Sequence, residues 1–293
     1  MPQRSGRRAA GTAVLLVIAI SLSLQTGSAV AVKVIASVGI VEALWLRTAI
    51  AALILVAVRP RSLRLPERGD RLAVAALTLA LLGMNLSFYG AISYAPVGLV
   101  VAIEFVGPLF VAVIGTRRLL DALWIVLAGV GVLVLAGPEG SVGGLGLVLS
   151  LTAAAFWAAF LLLAKRAVRS HDPLGVTTLM LAGSAVLLTP LLLFTEVRVA
   201  GHWEAVALGA LVAVLASAFP YFLELVALRL VRASTYGVLL STEPAVAALA
   251  GYLILSQSLT LVEGAAMVAV MAAAAGASWT AGASGAGLET PAA

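Results

Sequence analysis

The sequence predicts an all-α membrane protein of ten transmembrane helices, arranged as two inverted five-helix repeats. Three observations predict it: a composition too poor in charge to cover a water-facing surface, ten apolar stretches long enough to span a bilayer, and basic residues that alternate between the connections.

Of 293 residues, 62% are hydrophobic and only 11% charged, where a soluble domain carries about 25% charged residues. The mean hydropathy is +1.14. Lipid must therefore solvate most of the outside. The net charge is +5, which in a soluble protein would suggest nucleic acid. Here the 18 Lys and Arg residues fall almost wholly between apolar runs, so the charge reads as a topology signal, with no nucleic-acid partner. The chain has no cysteine, which excludes a disulfide framework and thiolate metal sites. His171 and His202 both fall in predicted loops, which argues against a histidine metal site or catalytic triad. No metal and no cofactor is expected.

A helix needs roughly 20 apolar residues to cross the hydrocarbon core. Ten stretches qualify, near 12–32, 39–58, 72–92, 97–116, 121–137, 143–164, 173–194, 204–227, 234–254 and 260–281. Tight connections at Ser93–Pro96 and Pro138–Gly143 imply helical hairpins and leave no room for an extramembrane domain. The predicted organisation is a cytoplasmic segment 1–11, a first five-helix unit 12–137, a second 143–281 and a disordered tail 282–293.

Basic residues test this count. With the N-terminus inside, the inner segments hold Arg4, Arg7 and Arg8; Arg59, Arg61, Arg64, Arg68 and Arg71; Arg117 and Arg118; Lys165, Arg166 and Arg169; Arg229 and Arg232, which is 15 of the 18. Only Lys33 and Arg198 fall outside, and Arg47 lies inside a span. A missed helix would scramble this alternation, so both ends are predicted to be cytoplasmic. Arg7-Arg8, the apolar run and Ser28–Ala31 imitate a secretory or twin-arginine signal. Removing that segment would leave nine spans, so the preferred reading is a first membrane helix.

The halves resemble each other weakly. Ala91-Ile92 and Pro108 recur 136 positions on as Ala227-Leu228 and Pro244. Beyond the prolines the spacing is 139, setting Leu120-Asp121 on Leu259-Thr260 and Gly137 on Gly276. Five spans per half is an odd number, so the second half must enter the membrane in the opposite sense. Inverted repeats let one midplane site be exposed to either side, which is a transporter's device.

Charged groups at mid-bilayer cost about 2.5–3.5 kcal/mol on insertion scales and normally face a cavity or a partner. Four lie inside predicted spans: Arg47, Glu104, Glu224 and Glu243. Glu104 precedes Gly107-Pro108, and Glu243 directly precedes Pro244. Proline frees backbone carbonyls, which is tolerated in a membrane where neighbours or a watery cavity satisfy them. Each glutamate reads either as an acceptor for a proton or an ammonium, or as a kink residue bonded to a neighbouring helix. Arg47 reads either as a ligand for a substrate carboxylate or as the fixed counter-ion of a membrane glutamate. Glu224 lies near the inner end of its helix, where pairing with Arg229 or hydration competes with a direct role. Glu42 reads as an interface residue.

Polar and aromatic residues cluster in the same spans. Asn85 and Tyr89 are four apart and share a helix face. Tyr221 follows Pro220; Phe156 and Trp157 mark the sixth span, Tyr236 and Ser241 the ninth, and Gln25 and Ser28 the first. They either line a cavity for a small polar solute or bond helix to helix. Trp45, Trp124, Trp203 and Trp279 read as interface anchors or lipid-facing packing. Gly129 and Gly131, and Gly143, Gly144 and Gly146, read as close-packing or hairpin glycines, and no phosphate loop, dinucleotide fingerprint, metal motif or nucleophile elbow is present. The expectation is a transporter and not an enzyme, driven by an ion gradient or by exchange.

Several segments together resemble a known family. These are Gly83-Met84-Asn85 with Phe88-Tyr89, Ala102–Leu109 around Glu104 and Pro108, Arg117-Arg118, Pro220–Glu224, Ala227-Leu228, and Tyr236-Gly237 through Glu243-Pro244-Ala245. They resemble the EamA-type exporters of the drug/metabolite transporter superfamily, most of all its bacterial threonine/homoserine exporter group. Arg47 occupies the place of the second-span arginine these exporters carry. Where many members have Gly-Glu after the ninth helix, this chain has Ser256-Gln257, so that acid has no counterpart. The resemblance implies export of small neutral amino acids across a bacterial inner membrane against inward proton movement. Its partners are then the amino acid, protons and the lipid bilayer, with monomer and homodimer both open. Glu104 and Arg47 would hold the ammonium and the carboxylate, and Asn85, Tyr89 and Tyr221 a side-chain hydroxyl. Two other readings stand beside it: an exporter of another small or cationic solute, and a membrane enzyme or structural subunit.

Overall fold

A computed structural model describes residues 2–64, 68–113, 119–136, 141–170, 172–195, 203–230 and 233–283. Every regular element among them is helical. The α-helices are α1 (Pro2–Val38), α2 (Ile40–Val58), α3 (Arg68–Ala91), α4 (Val97–Glu104), α5 (Val106–Val113), α6 (Leu119–Ala136) and α7 (Gly144–Ser170). They continue with α8 (Pro173–Leu188), α9 (Trp203–Ala213), α10 (Phe219–Leu230), α11 (Ala233–Leu240), α12 (Glu243–Leu255) and α13 (Leu261–Ala283). The residues assigned to the inner N-terminal segment are already helical from Pro2. Most of the expected C-terminal tail, 284–293, lies outside the described residues, as do both histidines.

Among the described residues, eight helical stretches are long and apolar enough to cross a membrane. The fourth and fifth expected spans are apolar but shorter, Val97–Val113 and Ala122–Ala136. Both border residues outside the described set, 114–118 and 137–140. The outer surface carries large apolar side chains, among them Leu53, Leu79, Leu133, Val186 and Leu253. In water such a belt would drive aggregation; against lipid it is the solvated face.

Prolines set the interruptions. A proline at position i gives no hydrogen bond to the carbonyl at i−4 and its ring crowds that carbonyl. For Pro108 that residue is Glu104, and α4 ends there. For Pro244 it is Leu240, the last residue of α11. For Pro220 it is Ala216, inside the π-helical turn Val214–Ala218 that joins α9 to α10. Two glutamates thereby stand at helix breaks, Glu104 as the last residue of α4 and Glu243 as the first of α12.

Helices pack in recurring pairs: α3 on α7, α1 on α9 and α10, α2 on α8, α6 on α13, and α4 on α12. Small residues let the backbones approach. A Cβ at Gly98 would stand 2.7 Å from the Ala248 Cα, and one at Gly27 would stand 2.7 Å from the Ala216 Cβ. Gly131 packs on Val270 in the same way, whereas Gly129, Gly143 and Gly144 face open space. Thr260 and Glu263 form a capping box at the start of α13: the Glu263 N–H donates to Thr260 Oγ1 at 3.2 Å, and the Thr260 N–H to Glu263 Oε2 at 2.9 Å.

Candidate functional site

Seven helices, α1 to α4, α7, α10 and α11, together with the first residue of α12, enclose a cavity with about 600 Å³ of empty space, its open side included. Arg47 anchors one part of the lining. It is 1% exposed and spends its donors on protein. Nε donates to Ser217 Oγ at 2.5 Å, Nη1 to Tyr89 Oη at 3.0 Å, and Nη2 to the Ala216 carbonyl at 2.6 Å and Tyr221 Oη at 2.9 Å. The Ala216 carbonyl is the one that Pro220 cannot satisfy, so a proline in α10 creates an acceptor for an arginine in α2. The guanidinium also lies over both tyrosine rings, 5.3 Å from the Tyr89 centroid and 5.7 Å from that of Tyr221. Tyr221 passes its own proton to Asn85 Oδ1 at 3.1 Å, and Asn85 Nδ2 donates to the Leu81 carbonyl at 2.8 Å.

A guanidinium has five N–H donors, and four are used. Among the described residues no carboxylate lies within 4 Å of it. Arg47 is thus not the close counter-ion of a membrane glutamate, and it offers a ligand one N–H, not a two-pronged fork. Tyr89 is fully buried behind it and does not line the cavity, so its hydroxyl positions Arg47 and is not presented to a solute.

Glu104, Glu224 and Glu243 line the same cavity, each less than 10% exposed. Glu243 is near enough to both others to repel them electrostatically. Glu243 Oε1 accepts a hydrogen bond from Ser21 Oγ at 3.3 Å. Glu104 has no protein donor among the described residues, so its carboxylate answers to the cavity alone. Glu224 does not emerge at a helix end; it is buried in the cavity wall beside Tyr236. The Arg229 side chain lies outside the described residues. The cavity thus collects three carboxyl groups and one guanidinium, groups able to take up a proton or meet a cationic group.

Gln25 Oε1, in the lining, is a buried polar atom without a hydrogen-bond partner among the described residues, whereas the Tyr236 hydroxyl stands beside the Glu224 carboxylate. Such an atom is normally paired, so Gln25 is available to a bound solute. Trp157 completes the wall, its ring edge-on to Phe105 at 5.0 Å. Ser28 lines the cavity as well, its hydroxyl bonded to the Leu24 carbonyl at 2.9 Å.

The structure thus brings Arg47, Asn85, Tyr221, Glu104, Glu224, Glu243, Trp157 and Tyr236 to one cavity. Pro108 and Pro244 break the helices that carry two of them. Other expectations are corrected. Phe156 packs over Gly83 and Ser241 bonds the Val238 carbonyl, both away from the cavity. Glu42 lies in the first turn of α2, buried against Gly39. Trp45 donates to Thr189 Oγ1 at 3.1 Å, and Trp124 packs on Gly276; Trp203 and Trp279 are exposed. Ser217 and Ser21 were not singled out from sequence. Ser21, Gln25 and Ser28 recur at i, i+4 and i+7 in an apolar helix, a polar stripe that could have found Ser21.

Comparisons with known proteins agree with this architecture. The pattern of the EamA-like transporter family matches residues 144–279. The threonine/homoserine exporter RhtA of Salmonella typhimurium is 38% identical over 270 residues, covering 91% of this chain and 90% of that protein. The threonine/homoserine exporter RhtA of Escherichia coli is 36% identical over 271 residues, covering 91% of each. A solved crystal structure at 17% identity overlays with a TM-score of 0.59, covering 93% of this chain and 98% of its own, which speaks for the fold alone. With relatives this similar over nearly its whole length, the chain is a multi-pass membrane protein and belongs to the EamA-like transporter family.

Proposed function

We propose that this protein exports small neutral amino acids of the threonine and homoserine type across a bacterial inner membrane, by proton antiport with alternating access. The reading makes it a transporter and not an enzyme. Its support is the cavity that collects Arg47, Asn85, Tyr221 and three glutamates, together with exporters of that name at 36–38% identity. A zwitterion needs an acceptor for its ammonium and a donor for its carboxylate. Glu104, unpaired with protein, accepts a proton or the ammonium by turns, which couples the two fluxes. Glu243 and Glu224 extend the same acidic surface. The last N–H of Arg47 meets the carboxylate, and Gln25 meets the side-chain hydroxyl.

Alternating access rests on ten spans in two inverted units, 12–137 and 143–281, with both termini inside. The two shorter helices then cross as the fourth and fifth spans. Three features support this: the family pattern coincides with the second unit, the breaks at Pro108 and Pro244 recur between units, and the strongest packing pairs, α3 on α7 and α1 on α9 and α10, exchange under the repeat.

The test is efflux and counterflow of labelled threonine in proteoliposomes, with and without a pH gradient. Saturable threonine and homoserine movement, accelerated by protons running the other way, is the expected result. A second reading, export of a cationic solute, is favoured by the excess of three carboxylates over one guanidinium. Movement of cationic dyes without any threonine counterflow would replace the first reading by the second.

A further inference from the structure

A second pocket, with about 490 Å³ of empty space, lies where α2, α3 and α8 end or begin. It is built on the 3-10 turn Pro60–Leu63 that follows α2. Arg59, Arg61 and Arg64 converge on it. Arg59 Nη1 holds Asp172 Oδ2 at 2.7 Å, and the same carboxylate oxygen caps α8 by accepting from the Gly175 N–H at 3.2 Å. The one acid in the lining is therefore already engaged. Arg61 and Arg64 are exposed and have no carboxylate within 4 Å among the described residues. Among the described residues the pocket so keeps two guanidinium groups without an ion-pair partner.

Two further observations point to a ligand. Ser62 lines the pocket, is 4% exposed, and its hydroxyl has no hydrogen-bond partner. A buried hydroxyl is normally paired, so a donor stands unused beside the two arginines. The level is also specific. All the lining residues lie within two turns of the ends of three spanning helices, and Val58, Leu63 and Leu72 beside them expose apolar side chains. That is where lipid headgroups meet the protein. Guanidinium groups match the oxygens of a phosphate in charge and geometry.

We propose that this pocket binds the phosphate of an anionic phospholipid headgroup. Arg61 and Arg64 hold its oxygens, Ser62 donates its hydroxyl, and an acyl chain leaves along Val74 and Leu179. The site joins the end of α2 to the start of α8 and does not depend on which solute the central cavity carries.

The test uses the purified full chain in a neutral detergent, titrated with dioctanoyl phosphatidylglycerol, dioctanoyl phosphatidylcholine or inorganic phosphate, with Tm as the readout. Phosphatidylglycerol is expected to raise Tm saturably and phosphatidylcholine to leave it unchanged. Arg61→Ala/Arg64→Ala should weaken that protection at least tenfold, and Arg71→Ala, outside the pocket lining, less than threefold. Ser62→Ala separates binding from folding: without lipid its Tm should equal or exceed that of the parent, while lipid affinity falls several-fold. Protection by inorganic phosphate alone, lost in the same variants, would keep the phosphate chemistry and assign free phosphate as its source. Equal protection by the two lipids, or a double variant that binds like the parent, would overturn the proposal.

Discussion

Tyr221 donates its hydroxyl to Asn85 across 136 positions of sequence, at 3.1 Å. That is the spacing at which Ala91, Ile92 and Pro108 recur as Ala227, Leu228 and Pro244. Residues that a repeat of this spacing would place in equivalent positions therefore touch at the cavity wall. Gly131 and Val270, 139 apart, touch between α6 and α13, at the spacing found beyond the prolines. Contacts of this kind arise where a two-fold axis runs between the residues it relates, which favours the inverted-repeat reading.

Removing the Tyr221 hydroxyl tests how much the cavity depends on that contact. In Tyr221→Phe the ring stays, Asn85 loses its donor, and Arg47 keeps three of four acceptors. A net loss of about 1–2 kcal/mol is expected, with normal membrane insertion. Efflux should fall about tenfold, because Asn85 and Arg47 are both freed to reorient. Threonine efflux from cells with matched protein levels measures it, and parental efflux would reduce Tyr221 to packing.

Arg47→Lys should be far more severe, although it keeps the charge. An ammonium has three donors on a point centre and cannot reach Ser217, Tyr89, Ala216 and Tyr221 together. Each buried polar atom left unpaired costs about 1–3 kcal/mol. Folded protein recovered on size-exclusion chromatography should drop, and the fraction that folds should have lost transport. Ser217→Ala removes one acceptor only and should retain most efflux, so the pair grades the hub by its number of broken bonds.

The breaks around this hub were legible in the sequence and its partners were not. Proline acts locally, so Pro108, Pro220 and Pro244 mark Glu104, Ala216 and Leu240 by counting back four residues. The Thr260–Glu263 capping box is likewise a matter of spacing. Arg47 and Ser217 are 170 positions apart, and nothing local joins them; their meeting depends on how α2 packs against the π-helical turn. The same holds for Glu224, whose place near a helix end suggested solvent until packing set it in the cavity.

Glu104→Gln should abolish efflux and its response to a pH gradient while leaving insertion normal. Among the described residues Glu104 has no protein donor to lose, so the yield of folded protein should match that of the parent. Under antiport, acid outside drives export: lowering the external pH should speed parental efflux, and collapsing the gradient with a protonophore should slow it. The glutamine variant should ignore both. Glu243→Leu should differ, since Glu243 also accepts from Ser21, a bond that leucine cannot keep. It is expected to lose part of its Tm as well as its transport. Parental efflux from Glu104→Gln would remove Glu104 from the mechanism.

At the far end of α12, Ser256→Gly should stabilise the protein. Ser256 sits at φ 56°, ψ 28°, the left-handed region. Its N–H donates to the Tyr252 carbonyl and the Gln257 N–H to the Gly251 carbonyl, both at 3.1 Å, closing the helix with an αL cap. A side chain there costs about 1 kcal/mol relative to glycine, so relieving it should raise Tm by roughly 2–4 °C and leave efflux unchanged. Ser256→Val, β-branched, should lower Tm. The neighbouring Gln257 shows why the missing acid does no harm: its Oε1 accepts from the Val97 N–H at the start of α4, at 3.1 Å. A carboxylate could accept the same bond and would also suit the helix N-terminus. Gln257→Glu should therefore fold and transport like the parent, while Gln257→Leu, which strands the Val97 N–H, should lower Tm. Equal Tm values for the glutamate and leucine variants would show that this link between the two halves contributes nothing to stability.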